Sequence, residues 1–422
     1  LFDHKGVYLY FINIFGLITN LCFVEFLFFI LSIWGLYKTF LLILSPRLSL
    51  IAVFAFPFLL FPFIAGGNRP EVYILPAIVY TLYYLINMVL SKKLPQKKHT
   101  ILLGSFAAYV FLLKFNYCSC FVAAAISLIY VAIVKKNFIS LMKHIFCGIL
   151  GLVIGLAPAF IYLLYNGILV DFFDSYIYFN MVYGAASSGF VSRIYYIFVS
   201  IIRSYNFIVL FLPLMIIWVL FVPEKKILQK DNIIARQLLL VIVLDWFLVC
   251  STNQTRCYYL VPLIPITLLS IALTFKYVSF KKINVAFYGL LILFFILFPI
   301  MKGIYIGAIR DRGQRIQYVK KVSNNIELQH LLKVNNNKIL VIGNHCLYYL
   351  MMNASPDNRY FFQYPIVSYS KEINDKLVDD FDKGQINLIL SPNGNIKEEW
   401  EEALGDKYEK KYIENDILYI KK

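Results

Sequence analysis

Five short clusters in this 422-residue chain combine groups able to bind or move charge. The first, Asp3-His4-Lys5-Gly6, sets a carboxylate, an imidazole and an ammonium before an aromatic amphipathic stretch, Val7–Tyr10. Such a trio suits a phosphate or a metal near lipid headgroups. It also suits a solvated helix start, with Asp3 stabilised by the helix dipole. In the second, Gly66-Gly67-Asn68-Arg69-Pro70-Glu71, either Glu71 caps a helix that Pro70 begins, or Arg69 and Glu71 face a substrate cavity. Lys114 of Lys114-Phe115-Asn116-Tyr117 either snorkels or holds an anionic lipid phosphate. Arg256-Cys257-Tyr258-Tyr259 offers bidentate donors and phenol hydroxyls to a phosphate, or a plain interfacial anchor. The stretch 166–204 adds Asp171, Asp174 and Arg193 among many tyrosines, with a flexible Gly184–Gly189 segment. On one helix face Asp171 and Asp174 make either a metal or acid/base pair or a solvated surface. A divalent metal ion at these acids is the cofactor the pattern allows.

The elements that must carry these clusters are apolar. Hydrophobic residues make up 60% of the chain and charged residues 15%, far from the soluble average of about 25% charged. Ten runs have the length expected of membrane-crossing helices: 20–43, 49–65, 71–90, 99–114, 117–134, 145–165, 205–222, 236–251, 259–276 and 284–301. The fold class they predict is a polytopic α-helical membrane domain over 1–302. Residues 1–302 carry 23 Lys+Arg against eight Asp+Glu, and residues 303–422 carry 17 against 16. Sixteen of the 23 cations fall in alternate loops, around Lys38, Lys92, Lys135, Lys225 and Lys281, which the positive-inside rule makes cytoplasmic. The five clusters then share the outer face, together with the 303–422 tail. The net charge of +16 is thus a topological signal, and a nucleic-acid groove, which would concentrate charge on a polar domain, is excluded.

Beyond Lys302 the pattern changes to alternating helix and strand. Helical spacing covers 312–333, 346–352, 372–381 and 396–404; strand-like runs cover 338–343, 359–364, 386–390 and 417–420. A small α/β domain outside the membrane is expected. Gly343-Asn344-His345 after a strand reads as a turn, and with no GxGxxG or Walker loop no nucleotide is assigned. The seven cysteines have neither disulfide-framework nor zinc spacing.

In their order, Asp3-His4-Lys5-Gly6, Gly66-Gly67-Asn68-x-x-Glu71, Lys114 and Arg256-x-Tyr258-Tyr259 resemble bacterial GT-C membrane glycosyltransferases of the family-39, mannosyltransferase-like group. The resemblance implies transfer of a sugar from a polyprenyl-phosphate carrier in the membrane lipid to a lipid, glycan or protein acceptor, outside the bacterial cytoplasmic membrane. By the same resemblance Lys5, Lys114 and Arg256 hold the donor phosphate. His4, Asn68, Arg69, Glu71, Asp171, Asp174, Arg193, Tyr258 and Tyr259 line the substrate cavity. Asp3 is the acid that survives here, the principal one being expected upstream of Leu1 with an N-terminal span and first outer loop. Val7 and Arg69-Pro70 depart from the family pattern. A polysaccharide polymerase, a flippase or another transporter of envelope glycans is the alternative class.

Overall fold

The structure is a computed structural model. It describes residues 18–64, 70–178, 191–192, 194–195, 229–250, 261–277 and 304–422, the last without 344, 359, 362, 364–366, 368 and 369. The chain divides into two compact units, residues 1–305 and 306–422, where the change of sequence texture sets the expected boundary at 302/303.

The described helices of the first unit are α1 (Ile18–Phe40), α2 (Pro46–Ile64), α3 (Pro70–Ser91), α4 (Lys97–Lys114), α5 (Ser119–Val134), α6 (Phe138–Tyr165), α7 (Leu169–Phe172), α8 (Gln229–Cys250) and α9 (Leu263–Tyr277). Helix α3 lies at the centre of the packing: every residue from Val72 to Val79 is buried, against Leu36, Phe56, Val110, Leu238 and Leu269 of its neighbours. An all-round apolar helix is stable only when other helices or lipid surround it.

The ten-span reading is overturned. Among the described residues two helices are long and apolar enough to cross a membrane, Glu71–Ser91 and Phe138–Tyr165. The apolar helix α5, Ser119–Val134, is shorter. The reason is geometric: the 16 residues of α5 rise only about 24 Å, short of a hydrocarbon layer of about 30 Å. Helix α8 carries four charged residues, Lys230, Asp231, Arg236 and Asp245. The runs 205–222 and 284–301 lie outside the described residues. Helix α6 is the least enclosed of the two, exposing Phe138, Met142, Phe146, Ile149, Val153 and Ile161.

The opposite face of α6 packs against α4 through small residues. A Cβ on Gly151 would lie 2.1 Å from the Ile101 carbonyl oxygen, and one on Gly104 2.2 Å from that of Gly148. The close approach lets Ser105 Oγ donate to the Gly151 carbonyl oxygen at 3.0 Å, and sets Thr100 Oγ1 3.2 Å from His144 Nδ1.

The second unit is a five-stranded sheet between two helical layers. Its helices are α10 (Ile304–Ser323), α11 (Ile326–Val334), α12 (Cys346–Met352), α13 (Lys371–Asp382) and α14 (Glu398–Leu404). Its strands are β1 (Lys338–Val341), β2 (Ser355–Pro356), β3 (Leu388–Ser391), β4 (Tyr408–Ile413) and β5 (Asp416–Lys421), in the order β2-β1-β3-β5-β4. β1 is parallel to β2 and β3, while β5 is antiparallel to β3 and β4. Alternation along the strands divides the core. Ile339, Val341, Leu388 and Leu390 face α10, α11 and α12; Leu340, Ile342 and Ile389 face α13 and α14, with Trp400 fully buried. The helix expected over 312–333 breaks at Asn324-Asn325, where the Asn325 side chain caps α11 by accepting from the Leu328 amide at 3.0 Å. The strand expected over 359–364 does not form at its described residues, and β2 pairs with β1 instead.

Asp416 fastens this unit. It is fully buried, accepting from Tyr318 of α10 and Tyr348 of α12 at 2.7 Å each and from the Asn393 amide at 2.9 Å. Burial and the Asp416 carboxylate push both phenols above their ordinary range.

Two stability outcomes are expected, each read by thermal unfolding followed by circular dichroism in detergent. Gly151→Ala destabilises the first unit by about 1–3 kcal/mol, whereas Gly148→Ala, whose Cβ would meet nothing closer than Thr100 Cγ2 at 3.9 Å, is tolerated. Asp416→Asn, which cannot satisfy three donors with one carbonyl oxygen, destabilises the second by about 2–4 kcal/mol.

Candidate functional site

The first unit buries a carboxylate, and its neighbours follow from that. Glu71 sits in the first turn of α3, just after Pro70, yet it is only 1% exposed and is no solvated cap. Its Oε1 accepts from Lys114 Nζ at 2.6 Å and from the Tyr117 hydroxyl at 3.2 Å. Its Oε2 is buried with no hydrogen-bond partner. A carboxylate in such surroundings needs a cation and oriented donors to offset its lost hydration.

The chain supplies them by breaking a helix. α4 ends at Lys114, whose extended backbone (φ −169°, ψ 100°) begins a single 3-10 turn over Phe115–Tyr117. The turn folds Tyr117 back so that Lys114 Nζ stands 5.2 Å from its ring centroid, a cation–π contact added to the ion pair. Lys114 keeps 19% side-chain exposure while its partner has almost none, so the ammonium is the side of the pair nearer solvent. Tyr109, on the same helix, donates to the Tyr73 carbonyl oxygen at 3.1 Å and ties α4 to α3 beside the pair.

A second carboxylate is reached from the same corner of the chain. Asp245 of α8 is 1% exposed and accepts from Ser119 Oγ at 2.8 Å, while its Oδ2 has no hydrogen-bond partner. Residues 114–119 therefore reach both Glu71 and Asp245. Tyr117 and Ser119 are site residues that sequence reasoning did not single out. The signal for them is the broken helix itself, Lys114-x-x-Tyr117-x-Ser119 between two apolar runs.

The remaining sequence candidates divide. Asp171, in α7, and Asp174, in the π-helical turn that follows, are both exposed and sit on the surface. Asp3, His4, Lys5, Asn68, Arg69, Arg193, Arg256, Tyr258 and Tyr259 lie outside the described residues. Among the described residues no group of three or more His, Cys, Asp or Glu is arranged to hold a metal ion. Cys118 and Cys120 are free thiols, the latter packed in the core. No protein-family model matches the chain, and no curated protein matches it significantly.

The pair makes a sharp stability prediction. Lys114→Ala strands a buried carboxylate and costs about 3–5 kcal/mol, while the neutral double variant Glu71→Gln/Lys114→Met stays within about 1 kcal/mol of the parent. Unfolding midpoints of the parent and both variants check the order, which a solvated, dispensable pair would not give.

Proposed function

We propose that this chain transfers a sugar from a polyprenyl-phosphate carrier to a lipid, glycan or protein acceptor at the outer face of a bacterial cytoplasmic membrane. The observation that carries the reading is the Glu71–Lys114–Tyr117 constellation. It supplies two complementary groups. The Lys114 ammonium is held in a fixed position by Glu71 Oε1, on the more exposed side of the pair, where a cation suits a phosphate oxygen. Glu71 Oε2 has a lone acceptor aimed at nothing in the described protein, suited to a sugar or acceptor hydroxyl.

In this reading the bond from the anomeric carbon to the carrier phosphate breaks, and its electron pair leaves with the phosphate. Lys114, Lys5 and Arg256 balance that charge. The acceptor oxygen forms the new bond, and its proton passes to a carboxylate, Asp3 or an acid upstream of it. Glu71 and Tyr117 position Lys114, and Glu71 orients the substrate hydroxyl. The exposed apolar face of α6 supports a place in lipid. A glycan transporter is the second reading, favoured by Asp245, a buried acid of the kind that couples ion movement.

The test is transfer from a radiolabelled polyprenyl-phosphate sugar by the full-length protein in membranes. Glu71→Gln/Lys114→Met and Arg256→Ala should each insert normally and lose transfer by about 100-fold or more. Unchanged transfer in the folded double variant would leave the pair a purely structural device and overturn the proposal. Transport that depends on Asp245, with no transfer, would select the second reading.

A further inference from the structure

The second unit holds a constellation of its own at the carboxyl end of β1. The chain leaves β1 through α12 to pair β2 on one side, then returns through α13 to pair β3 on the other. Adjacent connections run in opposite directions from that point, and by topology this is where open parallel sheets have the crevice that takes their ligands. Gly343 (φ +88°) turns the backbone there, its amide donating to the buried Gln363 Oε1. Two residues on stands His345, which accepts on Nδ1 from an exposed Arg315 guanidinium at 3.1 Å.

That contact decides the chemistry. A guanidinium has donors only, so Nδ1 must accept, and the imidazole is neutral with its proton on Nε2. Burial and the Arg315 charge beside it hold the His345 pKa below its ordinary value, which keeps that form at neutral pH. The pair therefore offers an incoming group donors alone: the remaining guanidinium N–H groups and Nε2–H. Its geometry is built in. Arg315 and Tyr318 are three apart on α10, and His345 and Tyr348 are three apart at the start of α12. Asp416 binds both tyrosines, so the residues one turn before them are brought together by the same anchor. The Asp416 charge is itself spread over three donors, and the nearby Glu414 is paired with Lys321 at 2.9 Å.

We propose that the second unit binds a phosphate group in this crevice, with Arg315 and His345 as its ligands. The phosphate is either free or the headgroup of an anionic lipid.

The experiment uses the full-length chain in detergent or nanodiscs. Inorganic phosphate is titrated calorimetrically, and nanodiscs of phosphatidylcholine with and without phosphatidic acid are compared by retention of the protein. Saturable phosphate binding marks the free ligand; retention that needs phosphatidic acid marks the headgroup. In whichever arm binds, Arg315→Gln should weaken binding at least tenfold. Arg315→Lys, which keeps charge but loses the fork, should weaken it at least threefold. Lys321→Gln should stay within twofold. Binding should persist in Glu71→Gln/Lys114→Met, which separates this site from the one proposed for transfer. His345→Asn serves as a second variant if Arg315→Gln fails to fold. Binding by neither probe, or binding unchanged in folded Arg315→Gln, overturns the proposal.

Discussion

A carboxylate that folding takes almost wholly out of water constrains everything around it. Glu71 lies at the start of α3, which is buried from there to Val79, where hydration is lost and the helix dipole alone repays too little. Lys114, the last residue of α4, meets that charge. The 3-10 turn that follows adds a phenol to the same oxygen. The corner also starts α5, whose first residue, Ser119, meets Asp245 on α8. Two desolvated carboxylates, Glu71 and Asp245, thus link the arrangement of four helices through one corner. What Glu71 leaves over is one unsatisfied carboxylate oxygen, an arrangement that costs stability and is seldom kept without use.

The second unit solves the same problem differently. Asp416 is as deeply buried, but its charge is met by two phenols and an amide. Its hydrogen bonds are thereby complete, so it organises neighbouring elements and leaves nothing over for a ligand. The reactive character moves one turn away, to Arg315 and His345, which inherit their geometry from the anchor. Satisfied anchor and unsatisfied pair are separable roles, and in the first unit Glu71 combines them.

Glu71 and Lys114 were legible as residues, because a charge in an apolar run is conspicuous. Their pairing was not: the two are 43 positions apart, and local pattern says nothing about which helices touch. Tyr117 was hidden for a different reason. Tyrosine occurs 32 times in this chain, so one more in an aromatic stretch carries no contrast. In the second unit the strands of the β1–β3 core were legible from short apolar runs. β4 was not, since Glu409, Lys410 and Lys411 of an edge strand look like loop. His345 was read as part of a turn, which is locally accurate. What made it notable was Arg315, 30 residues earlier on a helix.

The span count failed for a physical reason that bears on the site. Hydropathy sums residues along a run, whereas crossing a bilayer requires continuous length and the absence of charge across that length. α5 and α8 are apolar enough to be counted but are short or charged, and these are the helices that meet at Ser119 and Asp245. α4, which ends in Lys114, likewise begins with two lysines. α4, α5 and α8 thus each carry a polar group inward, as α3 does with Glu71. The two that pass play opposite parts: α3 supplies the acid from the centre of the packing, and α6 turns its apolar face outward while its glycines let α4 pack closely. Position along the chain therefore says less about chemistry here than the division between helices built for apolar surroundings and helices built to hold charge within them.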